Sequence, residues 1–344
     1  AAEATNNSMQ MYFEASTDHS ESGDPYAGRD EESIERLEEE ISQLNDSVHG
    51  LDAYHIVDKL GEGTFSSVYK AIDVHHAMFA NAEWFKTNTP HIAPRPARHP
   101  TVYVALKRIY VTSSTARILN ELEIMESLRG APFISYLVTA FRSADQVIAV
   151  MPYTRHAEFR EYYRVMPLSD LPCYFYCLFS ALEAMHKQGI VHRDIKPGNI
   201  LVTLTPQNKL RVLLSDLGLS KRIDGLTFSA QSQSAQAGGT MGWRAPELLQ
   251  GFSLHADDGK ERLTRAVDIF SLGCVAFYML TRGGHPFGEL YEREIRILQN
   301  QVDTSALSAS GDDTVEAEAL IKQMIAPIPS DRPSASDVAR HPFF

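Results

Sequence analysis

Val191-His192-Arg193-Asp194-Ile195-Lys196-Pro197-Gly198-Asn199 sets an acid, a cation two positions on and an amide three further on within one short run. Asn199 offers a hard oxygen of the kind that suits a divalent cation. Working outward, Ser215-Asp216-Leu217-Gly218 supplies a second carboxylate, and Arg244-Ala245-Pro246-Glu247 follows it. Upstream, Val104-Ala105-Leu106-Lys107 places a lysine on a predicted strand, and Glu121 lies on a predicted helix whose packing face is Leu122, Met125 and Leu128. Further upstream, Gly61-Glu62-Gly63-Thr64-Phe65-Ser66-Ser67-Val68 lies between two predicted strands. Glycines there let backbone N–H groups approach a polyphosphate. The strand–loop–strand setting argues against a dinucleotide-binding turn, which needs strand–loop–helix.

The elements around these motifs change character along the chain. Strands are expected at Tyr54–Leu60, Val68–Val74, Val102–Ile109 and Val147–Met151, with one helix from about Ser114 to Leu128. After Thr154 the periodicity turns helical, over Leu171–Lys187, Arg265–Thr281, Glu289–Gln299 and Val315–Ile325. Strands first and helices later indicate a two-lobed α+β fold. Residues 75–100 read as a His- and Pro-rich surface insertion, and His75, His76, His91 and His99 as exposed loop histidines rather than metal ligands.

The 344 residues carry 32 Lys and Arg against 44 Asp and Glu, a net charge of −12. Residues 1–50 hold thirteen of those acids against two arginines, so the acidity belongs to the N-terminal arm and the rest is near neutral. Direct nucleic-acid binding through a basic surface is therefore not expected. Residues 1–30 read as disordered. Ile34, Leu37, Ile41 and Leu44 recur at helical spacing, which predicts a short helix over 31–44 lying on the first lobe. Cys173, Cys177 and Cys274 are too few for a disulfide framework, and the pair Cys173/Cys177 reads as helix core. No apolar run is long enough to span a membrane, and no secretory signal is visible. A start on Ala1 suggests a processed or truncated product.

These motifs, in this order, resemble a eukaryotic protein kinase over residues 54–344. The resemblance implies the bilobal protein-kinase fold, with a small β-rich N-lobe (54–152) carrying one main helix and a larger α-helical C-lobe (155–344). It also implies ATP and Mg²⁺ as cofactors and proteins as substrates. Phosphoryl transfer demands positioning and charge neutralisation more than covalent chemistry. On that basis Lys107 would hold the α- and β-phosphates, oriented by Glu121. Asn199 and Asp216 would bind Mg²⁺, Asp194 would orient the attacking hydroxyl, and Lys196 would sit beside the γ-phosphate. Gly61 and Gly63 would cover the phosphates. Val68, Ala105 and Leu201 would sandwich the adenine, with Met151 behind it and Pro152-Tyr153-Thr154 as the hinge. His192 reads as structural, Asp268 as a brace for the catalytic-loop backbone, and Glu247 with Arg332 as a buried ion pair. Ser229, Ser232 and Ser234 are candidate phosphorylation sites of the activation segment, with Arg193, Lys221 and Arg222 as cationic partners.

Lys196 after Asp194, and Thr240 ahead of Ala245-Pro246-Glu247, resemble the serine/threonine class. A closer resemblance is double, to one family over residues 54–201 and to another over residues 212–344. "GEGTFSSVYKA" (61–71), "VALKRIYVTSS" (104–114), "RILNELEIM" (117–125) and "QVIAVMPYTRHAEFREYYR" (146–164) are similar to the catalytic subunit of the DDK (Hsk-type) cell-cycle kinase that initiates DNA replication. "GTMGWRAPELL" (239–249), "LTRAVDIFSLGCVAFYMLTRGGHPFG" (263–288) and "DRPSASDVARHPFF" (331–344) resemble the kinase domain of the inositol-requiring unfolded-protein-response kinase. The first implies a nuclear protein with an activating regulatory subunit, although 216–247 lacks the long insertion usual there. The second would continue past Phe344 into a ribonuclease domain, so that activity and its membrane anchor are expected to be absent. Three functional readings stand: the cell-cycle kinase, a stress-sensor-type kinase domain, and a pseudokinase scaffold. The complete set Lys107, Glu121, Asp194, Asn199 and Asp216 argues against the last.

Overall fold

The computed structural model describes residues 30–63, 66–75, 102–110, 114–143, 146–154, 163, 166–167, 170–205, 209–223, 239–249, 264–308 and 315–343. They fall into two compact units, one formed from residues 1–129, 135–155 and 204–209, the other from 130–134, 156–203 and 210–344. The expectations for residues 1–29 and for most of the 75–100 insertion lie outside the described residues.

The first unit opens with helix α1 (Glu31–Ser47), which starts where expected and runs three residues past the expected end at 44. Asp30 caps it, its carboxylate accepting from the Ser33 N–H at 2.8 Å, and acidic Glu31 and Glu32 occupy its first turn, where the helix dipole favours them. A five-stranded antiparallel sheet follows: β1 (Tyr54–Glu62), β2 (Ser66–Asp73), β3 (Tyr103–Ile109), β4 (Thr139–Ser143) and β5 (Gln146–Pro152), in the spatial order β1-β2-β3-β5-β4. β3 is thus central, with Lys107 paired to Val68 on one side and Ala149 on the other. Strand β4 was not expected. Its residues Thr139, Phe141 and Arg142 show no clean alternation, and it is fixed by pairing with β5. Alternate residues of β2, Ser67, Tyr69 and Ala71, are buried, the period-two pattern of a half-covered strand. One sheet face packs into a core with Leu44, Val48 and Leu51, contributed by α1 and the turn after it, against Ile56, Tyr69, Leu106 and Val150. Helix α2 (Thr115–Ser127), capped by Ser114, buries Ile118, Glu121, Ile124 and Met125.

In the second unit, helix α3 (Leu171–Lys187) is followed by β6 (Ile190–Val191), the catalytic-type loop, and the hairpin β7 (Ile200–Leu204) and β8 (Leu210–Leu214). A short strand β9 (Lys221–Arg222) pairs back onto β6. Then come the turn α4 (Pro246–Leu249), α5 (Ala266–Leu280), α6 (Arg293–Leu298), α7 (Ser305–Ser308), α8 (Val315–Met324) and α9 (Ala335–Ala339). All of α5 except Ala266 and Tyr278 is buried, as an apolar helix without a polar face requires. Gly273 allows this: a Cβ there would lie 2.8 Å from Ile325 Cγ2 and 2.9 Å from Met324 Cβ, so glycine sets how closely α5 meets the end of α8. The expected helix over Glu289–Gln299 shortens to α6.

One core expectation is corrected. Cys177 is buried, but Cys173 is exposed. Cys173 sits on the first turn of α3 with its Sγ 3.6 Å from the Leu210 carbonyl at the very start of β8, so the hairpin covers only one side of it.

Because Leu44 is 2% exposed and anchors α1 to the sheet, Leu44→Ala should cost about 3 kcal/mol of stability. Urea denaturation of the full chain measures this. A loss below about 0.5 kcal/mol, typical of surface positions, would mean that α1 merely rests on the sheet.

Candidate active site

The first unit, taken by itself, holds an ion pair. Lys107 projects from the central strand and Glu121 from the buried face of α2, with Nζ and Oε1 2.6 Å apart and both side chains less than a tenth exposed. Two charges removed from water in this way carry a desolvation penalty of several kcal/mol each, which only close contact repays. On the same strand, Ala105 is buried and pairs with Met151 of β5 across the sheet. Val68 and Met151 are half-buried. Tyr153 follows β5, and Lys70 lies over both its ring (4.9 Å) and that of Tyr103 (4.6 Å). Gly61 pairs with Val68 across the β1–β2 hairpin, and the Gly63 N–H donates to the Ser66 carbonyl at 2.8 Å.

The second unit, taken by itself, holds a denser cluster around Asp194, which is 6% exposed. Its Oδ2 accepts from Lys196 Nζ and from Asn199 Nδ2, each at 2.9 Å. Its Oδ1 accepts from the Thr240 hydroxyl at 2.8 Å, and Lys196 Nζ also bonds that hydroxyl oxygen. Asn199 Nδ2 makes a further bond to the Asp194 carbonyl at 2.8 Å. The carboxylate is therefore fixed in orientation by three side chains. Thr240 is the member that sequence reading placed only as a class marker. It lies 46 residues from Asp194 in the chain, and its only sequence signal was a hydroxyl ahead of Ala245-Pro246-Glu247.

Asn199 and Asp216 are brought near each other through the backbone. The Ser215 N–H and hydroxyl both donate to the Asn199 carbonyl, at 2.9 and 3.0 Å. His192 Nε2 lies 3.1 Å from the Ser215 carbonyl, consistent with a structural histidine. Asp216 adopts φ 62°, a left-handed conformation that costs a non-glycine residue about 1 kcal/mol or more and concentrates at functional sites. With the Asn199 amide nitrogen committed to Asp194, its Oδ1 is the atom left for a cation, and with the Asp216 carboxylate it makes a hard-oxygen pair. Among the described residues no group of three or more His, Cys, Asp or Glu could hold a metal. Two hard oxygens are the kind of donors that suit Mg²⁺, which is commonly held by one or two protein oxygens plus phosphates and water. Leu201 lies on β7, half-buried. Ser229, Ser232 and Ser234 lie outside the described residues. Arg193, expected to receive a phosphate, is 8% exposed and donates through Nη1 to the Leu219 carbonyl at 3.2 Å.

Beneath the loop lies Asp268, fully buried on α5. Its Oδ2 accepts from the His192 N–H and its Oδ1 from the Arg193 N–H, both at 2.9 Å, and His186 Nε2 is 2.9 Å from Oδ2. The expected brace is thus present. Gly239 approaches the same loop, and a Cβ there would fall 2.8 Å from the Arg193 carbonyl oxygen. Glu247 and Arg332 form the expected two-pronged pair, at 2.6 and 2.8 Å, with the Arg332 side chain wholly buried.

Burial acts to raise the Asp268 pKa, but His186 and the Arg193 N–H outweigh it, and the net displacement is downward. A carboxyl depressed in the folded state contributes stability that is fully present above its unfolded pKa of about 3.9 and is lost as pH falls through the folded value. Asp268→Asn should therefore be less stable at pH 7 by about 2–4 kcal/mol, since it replaces charged hydrogen bonds to two backbone donors. The deficit should narrow as pH falls below about 4. Denaturation at a series of pH values checks both the size and the slope, and a pH-independent deficit would assign the loss to packing.

With this geometry in place, comparison with known proteins is informative. The protein kinase domain family matches residues 97–344, well over half of the chain. The cell cycle serine/threonine-protein kinase hsk1 of Schizosaccharomyces pombe is 37% identical over 295 residues, covering 74% of this chain and 55% of that protein. The serine/threonine-protein kinase/endoribonuclease IRE1 of Hypocrea jecorina is 39% identical over 204 residues, 51% of this chain and 16% of its own length. The human serine/threonine-protein kinase/endoribonuclease IRE2 is 45% identical over 168 residues, 48% of this chain and 17% of that protein. The chain thus spans about half the length of the first and about a sixth of the other two. Both closer resemblances reappear in these relatives, and the β-sheet unit and helical unit are those of the bilobal kinase fold: this chain belongs to the protein kinase family, among relatives of the serine/threonine type.

Proposed function

We propose that the protein transfers the γ-phosphate of ATP to serine or threonine side chains of protein substrates. The observation that carries this reading is the Asp194 carboxylate, held by Lys196, Asn199 and Thr240. A scaffold without chemistry gains nothing from an acid aligned by three side chains. In the proposed reaction Asp194 accepts the hydrogen bond of the substrate hydroxyl and aims its oxygen at the γ-phosphorus. The oxygen–phosphorus bond forms as the bond to the bridging oxygen of ADP breaks, and the hydroxyl proton passes to Asp194. Lys196 offsets charge on the transferring group, and Lys107, steadied by Glu121, holds the α- and β-phosphates. Asn199 and Asp216 would hold Mg²⁺, which when bound neutralises phosphate charge. In this reading Val68, Ala105, Met151 and Leu201 would line the adenine, Tyr153 would lie in the hinge, and Gly61 and Gly63 would let the backbone come close to the phosphates.

Asp194→Asn should lower kcat by at least about 10²-fold while ATP still binds, since the side chain acts on the hydroxyl rather than the nucleotide. Asp216→Ala should remove the Mg²⁺ dependence of nucleotide binding. Both follow from a kinase assay paired with calorimetric titration of ATP. Wild-type turnover in Asp194→Asn would overturn the assignment, and Mg²⁺-independent ATP binding in the wild type would favour the pseudokinase.

For the pathway, we propose the cell-cycle reading: a nuclear kinase acting on chromatin-bound replication proteins, with an activating regulatory subunit. Its support is the hsk1 match, which extends over 74% of the chain. The 45% identity to human IRE2, confined to 168 residues, supports the stress-sensor reading instead. Copurification from native cells separates them. Replication-helicase subunits are expected, and endoplasmic-reticulum stress components in their place would reverse the choice.

A further inference from the structure

A polar network at the foot of the Gly61–Val68 hairpin has no part in the chemistry above. At its centre is Glu40 on α1. Both of its carboxylate oxygens lie 2.9 Å from Lys59 Nζ on β1, and its Oε1 accepts from the Tyr69 hydroxyl on β2. From Lys59 the network continues to Glu62 Oε2 at 2.9 Å, between the two glycines, where Tyr110 donates to the other oxygen at 3.3 Å. From Tyr69 it continues to Ser67, whose hydroxyl donates to the Tyr69 oxygen at 3.1 Å. Ser67 and Glu62 are cross-strand partners, one step beyond the pair Val68 and Gly61. One carboxylate on a helix outside the sheet is therefore tied to both strands of the hairpin. Burial would lower the Lys59 pKa, yet its bonds to Glu40 and Glu62 raise it, so the cation is secure at neutral pH.

The blander role for Glu40 is to satisfy the Tyr69 hydroxyl, which belongs to a fully buried residue and needs a partner. That role accounts for one arm only. The arm through Lys59 ends on Glu62, whose side chain is 60% exposed and has water available. Nothing buried is satisfied there, and what the arm fixes is the position of the backbone between Gly61 and Gly63. The helix can serve as an anchor because Leu37 and Leu44 are buried, and because the His49 N–H after it donates to Ser143 Oγ on β4 at 2.7 Å.

We propose that Glu40 is a positioning residue for the nucleotide, holding the two strands that flank Gly61 and Gly63 at the spacing that brings this hairpin backbone against the phosphates. The proposal rests on the kinase reading above. It makes α1 a functional part of the nucleotide site rather than an appendage.

The test uses the full chain and two variants. Glu40→Gln keeps an acceptor for Tyr69 and removes the charge that holds Lys59, and Lys59→Met severs only the arm to Glu62. Each should raise KM for ATP about three- to tenfold, with the Kd for ATP rising in step, kcat moving less than twofold and KM for the protein substrate unchanged. Ile56→Val, in the same core but outside the network, should lower Tm without moving KM for ATP. Unchanged KM and Kd for ATP in both variants of an active enzyme would overturn the proposal and leave the kinase reading intact. A wild type that neither binds ATP nor transfers phosphate would overturn that reading and the proposal with it.

Discussion

Two backbone N–H groups, those of His192 and Arg193, point at one carboxylate, Asp268, and the chemistry of the second unit depends on that arrangement. A loop ahead of a catalytic acid has no ladder to satisfy its donors, and a buried donor left unpaired costs about 1–3 kcal/mol. Asp268 meets both donors and thereby fixes the turn, including Arg193 at φ 70°. A left-handed non-glycine residue persists only where its surroundings over-determine it. Here the surroundings are α5, buried on nearly every side and seated against α8 through Gly273. Core packing thus sets the direction in which Asp194 leaves the loop.

The first unit positions by a different means. Lys107 and Glu121 form a short, buried pair that contributes little net stability, since a buried ion pair can often be replaced by apolar residues without loss. It stands on the central strand, where apolar side chains would pack as well, in keeping with the phosphate-holding role proposed for Lys107. The Glu40–Lys59 contact is of another kind, with both side chains between a fifth and a third exposed. Solvent weakens such a pair, and its contribution to folding is small. It can still select one arrangement of a hairpin whose two strands differ little in energy over small displacements. Under the proposed function, geometry rather than stability is what both ion pairs would supply.

The sequence was most informative where a local rule decides. The lysine strand, the helix with Glu121, and α3 over Leu171–Lys187 were legible from periodicity, because each has a burial pattern that repeats within its own length. The roles of Asp268 and of the Glu247–Arg332 pair were legible only through family resemblance, as 76 and 85 residues separate the partners. The strand β4 and the two-residue strands β6 and β9 were not legible, since their register is set by partners and not by alternation. Thr240 was seen, but not its bond to Asp194. The network at Glu40 was invisible for a further reason: a run of acids on a helix ordinarily marks a solvated face, and only the fold shows which one turns inward.

The double resemblance raises the question whether the two stretches specify one site, and the hydrogen bonds answer it within the second unit. The loop 191–199 belongs to the stretch resembling the DDK-type kinase, whereas Thr240 and Asp268 belong to the stretch resembling the stress sensor. Yet Thr240 donates to Asp194, and Asp268 accepts from His192 and Arg193. Ser215 in turn donates to the Asn199 carbonyl through both its N–H and its hydroxyl, which brings Asp216 to the amide that would share its cation. Every one of these bonds runs between the loop and a residue beyond 212. A mismatch between the stretches would have left a buried carboxylate or carbonyl without its donor, at a cost large against the few kcal/mol by which domains are stable. The carboxylates and carbonyl at this junction have their donors, so the two stretches build one constellation around Asp194.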